Sequence, residues 1–205
     1  MLDFSSAHGN TYARQPLVNA AAFRTPLLLV GPPGCGKTML AARLPGLLGP
    51  IDGVERAQVC GALGAARLLP DDLSVDDVGR PFRAPHSSCS VAGLTGPGGE
   101  VNLARCGVLF LDEATDFTLP VLARTLEAVA ATPVRFRPWV VFSILPPSDA
   151  AGRQNNDALL RLVDRVLRAV PTMVTLHRGG DEPWPSTAEL IDSVSAVRQR
   201  NGLDG

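Results

Sequence analysis

Apolar runs of strand length recur along this chain, and helical periodicity fills the stretches between them. Leu27–Val30 (LLLV), Val108–Leu111 (VLFL) and residues 139–145 (WVVFSIL) read as buried strands, with a further one at 173–176. Leu119, Leu122, Leu126 and Val129 share one face of a helix predicted over 118–129. Leu159, Leu160, Val163, Val166, Leu167 and Val170 repeat that spacing until Pro171 stops it. A helix is predicted over 54–63. Another follows Ser186, whose spacing to Glu189 is that of a capping box ahead of Leu190, Ile191, Val194 and Val197. Strands alternating with helices predict an α/β fold with a mostly parallel sheet covered on both faces.

Between the first strand and the next helix-forming stretch lies GPPGCGKT (31–38), the P-loop pattern G-x-x-x-x-G-K-[ST]. In such a loop backbone N–H groups cradle phosphates and the lysine reaches the β/γ oxygens. Gly31, Pro32, Pro33, Gly34, Cys35, Gly36, Lys37, Thr38 and the following Met39 are therefore the candidate nucleotide-binding set. Lys37 is the one lysine in a chain with 18 arginines. A compact ammonium enters a phosphate cradle that a planar guanidinium fits poorly. A helix start after the loop would add partial positive charge at the phosphate, although Pro45 and Gly46 should end that helix early.

The run VLFL ends directly in Asp112 and Glu113. An aspartate at the end of a buried strand can hold Mg²⁺ beside the Thr38 hydroxyl, which makes Thr38 and Asp112 the candidate metal residues. The adjacent Glu113 can polarise a water for in-line attack on a γ-phosphate, with Lys37 on the transferred group. A strand ending in acidic residues is common by itself. Paired with the P-loop, it predicts ATP and Mg²⁺ as cofactors.

Composition narrows the partners. Hydrophobic residues are 45% and charged residues 19%, so the bulk is globular. The formal net charge of −1 lacks the basic footprint of a dedicated nucleic-acid binder. Cys35, Cys60, Cys89 and Cys106 are scattered and the three histidines lie far apart, so no zinc spacing exists. Free thiols, no signal peptide and no apolar run of membrane length predict a cytoplasmic protein without a membrane partner.

GPPGCGKTMLAARLPGLL, RPFRAPHSSCS, PGGEVNLARCGVLFLDE and STAELIDSVSAVRQR resemble the magnesium-chelatase-like AAA+ ATPases, in particular the bacterial competence-type branch. The opening LDFSSAHGN, ahead of an Ala-rich helix, is similar to that family's entry segment beside the adenine. The resemblance implies a three-layer αβα P-loop AAA+ core over 1–177, on a mostly parallel five-stranded sheet, that binds ATP–Mg²⁺ and assembles as a homo-oligomeric ring or within a larger AAA+ assembly. Residues 178–205 are then a linker and C-terminal helix leading toward a lid domain absent from this sequence. It also implies an arginine finger supplied to the neighbouring subunit. LVDRV (162–166) matches that motif best and nominates Arg165 as the third catalytic residue, with Arg161 as the alternative. The same arginine reads equally as a solvated charge on an amphipathic helix.

Departures from the family pattern keep other functions open. Leu145 stands at the sensor position where the family has asparagine, and an apolar side chain cannot orient water. Residues 130–138 replace a longer hairpin-bearing insert, and the Lon-protease-like N-terminal domain of fuller members is absent. Weak or oligomer-completed ATP hydrolysis is the first expectation. A nucleotide-dependent module that holds a protein partner is the second, and DNA remodelling of the branch-migration kind is the third. Arg80 and Arg83 could serve DNA or a partner, but packing ion pairs are the favoured expectation for both.

Overall fold

All four apolar runs become strands of one sheet in the computed structural model, which describes residues 2–69, 74–148 and 150–203. The strands are β1 (Leu27–Val30), β2 (Phe82–Arg83), β3 (Val108–Leu111), β4 (Trp139–Ile144) and β5 (Thr172–Thr175). Their order is β2-β3-β4-β1-β5, with every pairing parallel. The helices are α1 (Arg14–Phe23), α2 (Lys37–Ala41), α3 (Gly53–Ala65), α4 (Val91–Thr95), α5 (Glu100–Leu103), α6 (Leu119–Ala131), α7 (Ala150–Leu167) and α8 (Thr187–Arg200).

Alternation along the strands divides the core into two layers. Leu27, Leu29, Val108, Phe110, Trp139 and Val141 pack with Leu17 and Val18 of α1 and with Leu190, Val194 and Val197 of α8. Leu28, Leu109, Leu111, Val140 and Phe142 face the other way, onto Leu122 and Leu126 of α6 and Leu159 and Val163 of α7. Both faces are covered, which is why these strands read as continuous apolar runs. Truncating one such leucine to alanine costs roughly 2–5 kcal/mol.

Several elements differ from the sequence expectation for physical reasons. The fifth strand, β2, is two residues long and offers no period to read. The short helices α4 and α5 flank the Gly-rich stretch 96–99 and are too brief to show a helical period in the sequence. Helix α7 begins at Ala150, well before the first apolar marker at Leu159, because its first turns carry mostly polar residues. Helix α2 is one turn long and gives way to a 3₁₀ segment, Leu44–Leu48, at Pro45 and Gly46.

Buried charge fixes the margin of the sheet. Arg80, just before β2, grips Glu55 of α3 at 2.8 Å, with side-chain exposures of 6% and 7%. The same guanidinium donates to the carbonyls of Gly49, Pro50 and Cys106. Arg83 forms a fork with Glu100 of α5 at 2.6 and 2.8 Å. Both arginines therefore make the packing ion pairs that the sequence favoured.

The N-terminal segment is tied to α8. Phe4 packs on Trp184, whose indole N–H donates to Gly9 O. Asp3 accepts hydrogen bonds from the Ser5 and Thr187 amides at 2.7 and 3.2 Å. The bonds from Ser5, then those from Thr187, hold the Asp3 carboxyl down at about 2.

Two outcomes are expected. Glu55→Ala leaves Arg80 buried without its counter-ion and should destabilise the fold by about 3–5 kcal/mol in urea titration. Asp3 has a depressed folded-state pKa, so its contribution is present above about pH 4 and is lost as pH falls toward 2. The melting-temperature difference between native chain and Asp3→Asn should accordingly be clear at pH 7 and vanish near pH 2.

Candidate functional site

The phosphate loop joins the end of β1 to α2. Gly36 adopts φ 96°, and Gly31 lies where an added Cβ would sit 2.5 Å from Cys35 Sγ and 2.7 Å from Leu176 O. Glycine is required at both positions, the first for its left-handed backbone and the second for close approach. Gly31 N–H donates to Ile144 O, and Leu176 N–H donates to Val30 O, so both neighbours of β1 anchor the loop's root. With α2 only five residues long, its dipole is small, and the loop's amides are the main donors available to a phosphate.

Lys37 is buried, and its ammonium donates to Gly31 O at 2.6 Å and Pro32 O at 3.2 Å. Those carbonyls hold the charge at the mouth of the loop. Thr38 Oγ1 donates to Asp112 Oδ2 at 3.1 Å across the strand that separates them. A hydroxyl and a carboxylate so placed are hard oxygen donors, the set that suits Mg²⁺ when phosphate and water complete the shell. Among the described residues no group of three or more His, Cys, Asp or Glu forms a protein-only metal cage.

Ser143 on β4 is the residue that sequence reasoning missed. It is fully buried, its hydroxyl donates to Asp112 Oδ1, and its oxygen accepts the Glu113 amide at 2.8 Å. Glu113 is held in a left-handed conformation, φ 47°, uncommon for a side chain of this kind. Both oxygens of Asp112 thus accept hydroxyl protons, one from Thr38 and one from Ser143. A lone polar position inside WVVFSI was the available signal. Leu145 follows the strand and is exposed.

The segments around Asn10 and His177 reach the loop's outer side. The Asn10 amide donates to Cys35 O and His177 O, and its carbonyl accepts the His177 amide at 2.8 Å. The Tyr12 ring lies against His177. Arg178 Nε donates to Pro33 O at 2.8 Å, a contact without any signal in the sequence. Arg161 and Arg165 lie elsewhere, exposed on α7 beside an open groove of about 520 Å³ against α6. The structure thus brings Lys37, Thr38, Asp112 and Glu113 together and leaves Arg165 outside that constellation.

Residues 3–137 match the family model described as magnesium chelatase, subunit ChlI. The chain is 36% identical over 228 residues to the protein Rv2897c of Mycobacterium tuberculosis, covering 98% of this chain and 44% of that protein. It is 42% identical over 127 residues to the competence protein ComM of Haemophilus influenzae, covering 59% of this chain and 24% of the relative. YifB of Escherichia coli is 33% identical over 185 residues, covering 80% and 36%. The chain therefore spans less than half the length of each of these relatives. With residues 3–137 matched by the family model, this chain belongs to the magnesium-chelatase-like AAA+ family, in the branch of ComM and YifB.

Proposed function

We propose that this chain binds ATP–Mg²⁺ and hydrolyses ATP slowly, as one subunit of a larger assembly. The carrying observation is the run of hydrogen bonds from Thr38 through Asp112 and Ser143 to the Glu113 amide. It joins the end of the phosphate loop to the candidate base by oriented polar groups, and preorganisation of that kind supplies most of the rate in phosphoryl transfer.

The residues divide the work by position. The loop residues from Gly31 to Met39 wrap the phosphates, and Lys37 exchanges its carbonyl partners for β- and γ-oxygens. Thr38 and Asp112 would hold Mg²⁺, which when bound neutralises charge on the phosphates. Glu113 orients the attacking water and accepts its proton as the oxygen–phosphorus bond forms. Charge then builds on the leaving β-phosphate oxygen, where Lys37 and the loop amides meet it. Ser143 is a positioning residue for both acidic groups. Arg165, or Arg161 beside it, would complete a neighbouring subunit's site in a ring.

One observation favours a second reading. Leu145 supplies no polar group beyond β4, so nucleotide binding without appreciable turnover, used to hold a protein partner, remains the competing function. The DNA-remodelling reading has less support, because Arg80 and Arg83 are engaged with Glu55 and Glu100.

Four variants test these readings. Millimolar ATP–Mg²⁺ should raise the melting temperature of the native chain, and Lys37→Ala should remove that rise; no rise in the native chain defeats both readings. Steady-state phosphate release should fall by about 100-fold or more in Glu113→Gln. A native chain no faster than this variant, at concentrations that permit assembly, leaves only the binding module. Ser143→Ala should lower kcat by about tenfold, the loss of one or two buried hydrogen bonds, with KM little changed. Ser143→Thr should restore most of it.

A further inference from the structure

A second cluster of positive charge lies at the opposite edge of the sheet, where β1 and β2 begin. There Arg24, Arg80 and Arg198 line a polar cleft of about 320 Å³ together with Ser195, Glu55 and Asp52, the last of these paired with Arg135. Arg80 is saturated by Glu55 and three carbonyls, as described above. Arg198 donates to Ala22 O and Leu203 O.

Arg24 differs from both. Its nearest carboxylate oxygen is Glu55 Oε1 at 3.8 Å, and that atom already accepts from Arg80 at 3.2 Å. No hydrogen bond engages the Arg24 guanidinium among the described residues, although its side chain is only 29% exposed. Burial and the charge of Arg80 push its pKa down, against the opposing pull of Glu55. The backbone adds a further cost. Arg24 caps α1 in the left-handed conformation, φ 49° and ψ 34°, where glycine is the low-strain residue. Strain, desolvation and like-charge repulsion thus meet at one side chain with spare donors, a combination that marks functional positions.

We propose that this cleft is a binding site for a compact oxyanion, a phosphate group gripped by Arg24 with the charge of Arg80 and Arg198 behind it. A guanidinium offers five donors in a planar fork that suits phosphate oxygens, and Glu55 cannot neutralise Arg24 while it is held by Arg80. The Ser195 hydroxyl, one turn before Arg198 on α8, is a neutral donor on the same wall. The site is separate from the phosphate loop, which leaves the other end of β1.

The test uses Lys37→Ala, which disables the phosphate loop, with and without Arg24→Gly. Inorganic phosphate at about 50 mM should raise the melting temperature of Lys37→Ala by about 4 °C over chloride of equal ionic strength, for a Kd of about 5 mM. Adding Arg24→Gly should remove most of that shift. Glycine suits the backbone at this position, so the variant should fold, with a midpoint in chloride no lower than its parent's. Arg24→Gln, which removes the charge, should lose the shift as well. An equal rise with and without Arg24 is the general salting effect of phosphate and overturns the site, as does no rise over chloride in the parent. Phosphoethanolamine separates the sources of the ligand. A shift as large as that from phosphate assigns the cleft to phosphate monoesters, and a shift with phosphate alone assigns it to the free anion.

Discussion

The insertion of β4 between β1 and β3 is the constraint on which the rest of this structure depends. Val30 stands beside Ile144 and Leu111 beside Phe142, so β1 and β4 end at one level and β3 stops two residues short of it. Strands β1 and β3 are two spacings apart, about 10 Å, too far for backbone contact. The gap above β4 is crossed by side chains alone, Thr38 from one side and Asp112 from the other. Because β4 is buried along its whole length, a one-residue slip would exchange its two faces, pressing Trp139 and Val141 into the layer packed for Val140 and Phe142. The site inherits its precision from that packing.

The same strand supplies the polar group that orders the site. Position 145 offers none, yet Ser143, two residues earlier, reaches the carboxylate of Asp112 and the amide of Glu113 together. A buried hydroxyl with both its proton and a lone pair engaged is stable in the low-dielectric interior, where an unsatisfied one would be costly. Ser143 therefore fixes the unusual backbone of Glu113 as well as the orientation of Asp112. Polar order at the end of β4 has moved inward along the strand.

The two ends of the sheet carry opposite solutions to buried charge. At the loop end, Lys37 is surrounded by backbone oxygen and Asp112 by hydroxyl protons, so each charge is satisfied by neutral dipoles. At the other end, Glu55 lies between Arg80 and Arg24 and serves the first far better than the second. The N-terminal segment joins the loop end, whereas the last turn of α8 lies at the other. Asn10 and Arg178 meet at the loop's outer wall, and α8 then packs against α1 in the same core layer.

The sequence by itself determined the elements that are long, periodic or chemically punctuated. LLLV, VLFL and the strand before Pro146 had to be buried on both faces, and the capping box at Ser186 and Glu189 forms with both of its hydrogen bonds. Glycine spacing made the phosphate loop legible, and the acidic pair after VLFL marked its counterpart. Tertiary structure alone decided what has no period. Strand β2 exists because the backbone of β3 offers it a partner. Ser143 matters because β4 lies beside β3, and Arg24 because α1 ends over the Arg80–Glu55 pair. These are contacts between segments distant in the chain. Local propensity and spacing cannot record them, since the energy of each arises only when the sheet brings its two sides together.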